Sequence, residues 1–217
     1  MRKVKIWLEN FWYHYKWPVI IGAFFIAVFA ICITQMVTRS HYDMYVRYVG
    51  DAVITDTQYN DILSTLGKMD YDSNDDGKTE VNFAQVAYVS DDDNPYKNDI
   101  NANAKEVMTG MLVQPYYIYI MDAQAYELYK GKETFAALNQ VFDADTDLSD
   151  IAYDEFAVYF KDTAFCQNSP GMEWVEEDMV IVLKLAPYKN ALAGTKYKSD
   201  TENFALHSEI FREMVGR

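Results

Sequence analysis

Val19 to Val37 (VIIGAFFIAVFAICITQMV) contains no formally charged residue. As an α-helix it extends about 28 Å, close to the hydrocarbon thickness of a bilayer. Lys16 and Arg39 flank it. Trp7, Trp12, Tyr13, Tyr15 and Trp17 precede it, and amphipathic rings favour the headgroup region. Residues 19–37 are therefore expected to form one transmembrane helix in contact with membrane lipid. Residues 1–18 are expected to form a cytoplasmic and interfacial segment. Val28-Phe29-Ala30 offers a signal-peptidase site, but the long aromatic lead and the apolar run beyond it favour an uncleaved signal-anchor.

Charge sets the expected orientation. Residues 1–38 carry four basic side chains and Glu9, a net of +3. The whole chain stands at −14, which leaves −17 for the remainder. The positive-inside rule puts the N-terminus in the cytoplasm and the acidic bulk outside, as a single-pass protein of the cell membrane. An acidic exterior lacks the basic face that nucleic acid requires, so no nucleic-acid partner is expected. Cys32 lies in the apolar run and Cys166 beyond it, so no disulfide framework is expected.

Beyond a link at residues 38–41, strand and helix patterns alternate through residues 42–217. Met44 to Val49 and Val81 to Val89 alternate as strands. Tyr116 to Met121 is an almost continuous apolar run, the mark of a buried strand. A helix capped at Asp56-Thr57 and closed by Gly67 falls between the first two strands, and Ala102 to Leu112 forms the next helix. Ala123 to Leu138 reads as a helix interrupted near Gly131. Phe156 to Phe160 and Met179 to Leu185 read as an antiparallel pair around a turn at 168–171. Pro187 to Ser199 reads as a loop and Thr201 to Val215 as a closing helix. The expected fold is an α/β ectodomain, a mixed and mostly parallel sheet with flanking helices, behind one N-terminal transmembrane helix.

The segments FWYHYKWPVIIG (11–22), YVRYVGD (45–51), DSNDDGK (72–78), VNFAQVAYV (81–89) and YYIYIMDAQAYELY (116–129) carry a resemblance. Residues 10 to about 140 resemble a group of anchored extracytoplasmic proteins of Gram-positive anaerobes, a group similar to one lobe of periplasmic-type solute-binding proteins. The resemblance implies a reduced solute-binding lobe. Its ligand-facing edge would lie at the strand ends, at Asp51, Asp91, Asp122 and Tyr126, because open α/β sheets bind ligands there. The partner would be a small molecule, a peptide or an envelope protein. A second reading is a structural or assembly subunit of a cell-envelope complex.

Asp72 to Glu80 matches the start of an oxygen-rich calcium loop, with Asp72, Asn74 and Asp76 at alternate positions and Gly77 at the sharp turn. The Lys78 carbonyl and Glu80 would complete the donors. Calcium is one reading of this loop and a polar turn that needs no metal is the other, since Phe83 stands where the usual bidentate Glu would be. Asp143, Asp145 and Asp147 lack that glycine and read as a solvated loop. No HExxH, GxSxG, P-loop, GxGxxG or CxxC sequence occurs, so no enzymatic activity is expected. His207 reads as a packing or surface residue rather than a base.

Overall fold

The central strands alternate between two apolar faces, and this places the sheet between two layers of helices. The computed structural model describes residues 2–37, 42–69, 71–73, 77–111, 114–131, 134–185 and 194–217. The chain divides into two compact units, Met1–His41 and Tyr42–Arg217. The link expected at 38–41 lies outside the described residues.

The first unit is one helix, α1 (Arg2–Val37), with Pro18 inside it. Proline has no N–H, so the carbonyl one turn earlier, at His14, loses its usual donor. Phe11–Thr34 is long and apolar enough to cross a membrane, and its side chains are all exposed. Trp7, Phe11 and Tyr15 repeat every fourth residue and stack as a ladder, with centroids 5.6 and 5.2 Å apart. The Thr34 hydroxyl is satisfied internally by the Ala30 carbonyl at 2.7 Å.

The second unit contains β1 (Met44–Gly50), α2 (Asp56–Leu66), β2 (Val81–Ala87), α3 (Lys97–Thr109), β3 (Ile118–Met121) and α4 (Ala123–Tyr129). It continues with α5 (Leu138–Val141), β4 (Ala157–Tyr159), α6 (Ala164–Asn168), β5 (Val180–Leu183) and α7 (Gly194–Val215). The sheet order is β2-β1-β3-β5-β4. β1 pairs in parallel with β2 and β3, whereas β5 runs antiparallel to β3 and β4. The sheet is therefore mixed but not mostly parallel as expected: two junctions are parallel and two antiparallel, because β5 sits between β3 and β4 and runs against both.

Met44, Val46, Tyr48, Ile118, Ile120, Ile181 and Leu183 pack with α2, α6 and α7 on one face. Val49, Tyr119, Met121, Val180 and Val182 pack with α3 and α4 on the other. This continuous burial explains why β3 and β5 carry almost no polar residue.

Several boundaries depart from expectation. The Ala123–Leu138 helix stops at Tyr129. Gly131 takes φ 75°, and Phe135 instead bridges to Lys184, extending the sheet beyond β5. The Ala136 N–H donates to Leu183 and the Leu185 N–H to Thr134. α3 starts at Lys97 rather than Ala102, because its first turn is polar and carries no apolar period. α7 starts at Gly194, inside the stretch read as a loop. Residues 187–193 of that loop, and Leu112 of the expected α3, lie outside the described residues. Short α6 carried no readable pattern. It is capped by Thr163, whose Oγ1 accepts the Cys166 N–H at 3.2 Å.

Candidate functional site

From β1 the chain leaves through α2 to β2, and from β2 it returns through α3, past β1, to β3. α2 and α3 lie on opposite faces. The carboxyl ends of β1 and β3 therefore form a topological switch point, where open α/β sheets leave a crevice. The turn into α2 is fixed by a capping box. Thr55 Oγ1 accepts the Gln58 N–H at 3.4 Å, and Gln58 Oε1 accepts the Thr55 N–H at 2.9 Å. The cap is thus Thr55, one residue before the expected Asp56-Thr57.

Asp122 occupies the N-cap position of α4, but its carboxylate makes no capping bond. It reaches across to β1 instead. Oδ1 accepts the Tyr48 hydroxyl at 2.9 Å, and Oδ2 accepts the Asp51 N–H at 2.7 Å. The Tyr48 oxygen in turn accepts the Ala52 N–H at 2.9 Å. Gly50 makes this approach achievable, since a Cβ there would overlap both the Asp122 carboxylate and the Tyr48 hydroxyl. Trp174 packs edge-on against the Tyr48 ring at 5.0 Å. Burial raises the Asp122 carboxyl to about 6, with Glu176 and Asp178 pushing the same way against its two hydrogen bonds. Burial and the Asp122 charge push the Tyr48 hydroxyl far above the usual tyrosine range.

Beside this pair a groove of about 440 Å³ opens at the ends of β1 and β2. Tyr48, Asp51, Ile54, Gln85, Val89 and Ile100 line it. Val53, 85% exposed, stands on its lip. The far wall is rigid: Asn101 accepts the Val89 N–H and donates to the Val89 carbonyl, both at 2.8 Å. Lys97 holds the following loop by donating to the Ser90 carbonyl at 2.7 Å and to Asp92 at 2.6 Å.

The structure brings Asp51 and Asp122 together at this edge. Asp91 is exposed on the loop after β2, where its Oδ1 accepts the Asp93 N–H at 3.0 Å. Tyr126 is fully buried on the α3–α4 side, and its hydroxyl donates to Asp154 at 2.7 Å. Tyr48 is the site residue that sequence reading missed; the Gly50-Asp51 step beside it marks the end of β1 in the sequence.

In the 72–80 loop, Asp72 Oδ2 accepts the Gly77 N–H at 2.6 Å, and Gly77 adopts φ 80°. Asn74 and Asp76 lie outside the described residues. Lys78 is exposed, and the Glu80 N–H donates to Asp43 at 2.8 Å. Asp43 is buried and also accepts the Ser73 N–H at 2.9 Å and the Ser73 hydroxyl at 2.8 Å. Among the described residues no group of three or more His, Cys, Asp or Glu side chains is placed to hold a metal ion.

Three cationic or titratable side chains are buried near the opposite edge of the sheet. The Arg47 guanidinium lies 3.6 Å from the Tyr116 ring centroid and donates to Gln114 Oε1. Lys184 donates to the Gln114 carbonyl at 2.6 Å and sits over the Tyr117 ring at 4.1 Å. His207 Nε2 accepts the Tyr45 N–H at 3.2 Å, so its proton is on Nδ1 and is donated to Asn203 at 2.7 Å. It stacks on Tyr117 at 4.8 Å. These groups tie the segment after α3 and the middle of α7 to the sheet, and none lines the groove.

No protein-family model, curated protein or solved structure significantly matches this chain.

Proposed function

We propose that this chain is a single-pass, membrane-anchored extracytoplasmic binding protein, with an α/β unit like one reduced lobe of a solute-binding protein. α1 crosses the membrane with its basic end in the cytoplasm. The acidic unit outside captures its ligand at the carboxyl edge of the sheet. The observation that carries this reading is the groove of about 440 Å³ at the carboxyl ends of β1 and β2, beside the Tyr48–Asp122 pair that marks the neighbouring switch point. Its polar end carries Asp51, while Ile54, Val89 and Ile100 supply apolar wall. The matching ligand is a small solute or short peptide with an amine or hydroxyl at one end and an apolar body.

Thermal melting of the full chain in detergent micelles tests this against a panel of sugars, amino acids and short peptides. A true ligand at a hundred times its Kd stabilises by about 2.7 kcal/mol. The expected result is one class that raises the melting temperature, with the shift lost in Asp51→Ala. A panel with no stabilising member contradicts the small-ligand reading.

A further inference from the structure

The two edges of the sheet are treated differently. At the β4 edge, the Tyr159 N–H donates to Ile151 at 2.9 Å and the Tyr153 N–H to Ala157 at 2.8 Å, so the 151–154 loop covers a strand of three residues. The β2 edge is a strand of seven residues without charge or proline. Edge strands of globular proteins are normally shortened, charged or covered, because their free backbone groups recruit other chains.

The pairing shows which groups are free. The Tyr88 N–H donates to Gly50, and the Glu80 carbonyl accepts from Met44, so even-numbered residues of this stretch face β1. In a parallel strand both backbone groups of a residue point the same way. Val81, Phe83, Gln85 and Ala87 therefore turn outward. The Phe83 carbonyl is taken by the Tyr59 hydroxyl at 3.2 Å, and the outward groups of Val89 by Asn101. No described residue bonds the N–H groups of Val81, Phe83, Gln85 or Ala87, and the side chains of Gln85 and Ala87 are exposed.

We propose that the β2 edge is a docking site for an extended segment of a partner protein, added as a sixth strand, with basic residues at both of its ends. The charge pattern selects this occupant. Asp72 and Glu80, with Lys78 between them, precede β2, and Asp91, Asp92 and Asp93 follow it, Asp92 paired with Lys97 at 2.6 Å. β2 itself, between these acidic loops, is about 23 Å long. A partner strand of about seven uncharged residues with Lys or Arg beyond each end matches it. A second copy of β2 does not, because either direction of self-pairing sets acidic loop against acidic loop. Strand addition uses the outward backbone groups of β2, while Gln85 and Ala87 of the same strand also line the groove.

The probe is a synthetic peptide of about seven alternating threonines and valines with two lysines at each end. Amide-resolved hydrogen exchange is followed on the full chain in micelles. The peptide should slow exchange at Val81, Phe83, Gln85 and Ala87 by about tenfold or more, with an affinity that falls as salt rises. The same peptide with glutamates for lysines should not bind. Methylating alternate peptide amides should abolish binding in one register and spare it in the other. Gln85→Pro removes one outward N–H without touching the β1 pairing, so it should weaken binding by about tenfold or more. Unchanged exchange at those four amides would overturn the proposal, as would equal binding of the glutamate peptide. Peptide-free protection that grows with protein concentration would also overturn it, by assigning the edge to a second copy. Should Gln85→Pro lower the melting point, the two methylated peptides still decide.

Discussion

Asp122 and His207 are displaced in opposite directions, and this makes a pair of linked predictions. Burial raises the Asp122 carboxyl to about 6, above its unfolded value near 3.8. Its ionisation in the folded state is therefore unfavourable, and it subtracts stability progressively as pH rises from about 4 to 6. Asp122 is still partly open to solvent, so the loss is on the order of 1–2 kcal/mol. Burial, assisted by the Lys184 charge, lowers the His207 imidazole to about 4 from 6.5. The unfolded chain takes up that proton first, so stability is lost as pH falls through the same window, by about 3 kcal/mol. In the native protein the two terms oppose each other. Denaturant melts between pH 4 and 7 should show stability rising more steeply with pH in Asp122→Asn than in wild type. His207→Gln should instead let stability fall with pH. Parallel profiles for all three proteins would contradict both assignments. His207 was legible in the sequence as a packing or surface residue. Its neutral state was not, because that depends first on burial by residues distant in sequence, with the Lys184 charge adding to it.

At the scale of elements, the 72–80 loop shows what binds local structure to the sheet. Asp43 gathers Ser73 and Glu80 from just before β1, and three donors lose their acceptor if it is removed. Asp43→Ala should cost about 2–3 kcal/mol of unfolding free energy, measured by urea titration. A loss below about 0.5 kcal/mol would show that the loop does not depend on it. The calcium expectation has its own outcome. Calcium should raise the melting temperature of wild type and not of Asp72→Ala, whereas equal melting of both with and without the ion contradicts it. The strands were legible because two-residue alternation and apolar runs report burial directly, as in β1 and β3. The interrupted helix after Asp122 was misread because Phe135 and Ala136 look helical in composition. Their pairing with the end of β5 is a long-range event that no local pattern encodes. For the same reason Asp51 and Asp122 could be placed at one edge by topology, while the Tyr48–Asp122 bond and the inward turn of Tyr126 could not.

For the whole molecule, the formal charge of −14 is an average over two unlike parts: a basic, aromatic, apolar helix and an acidic α/β unit. The anchored extracytoplasmic reading requires that this second part lie outside the cell. Digestion of right-side-out membrane vesicles containing the full chain asks this of the intact protein. External protease should remove residues 42–217 and leave a membrane-held fragment containing Val19 to Val37. Full protection of the α/β unit until the vesicles are broken would place it in the cytoplasm and contradict the anchored extracytoplasmic reading.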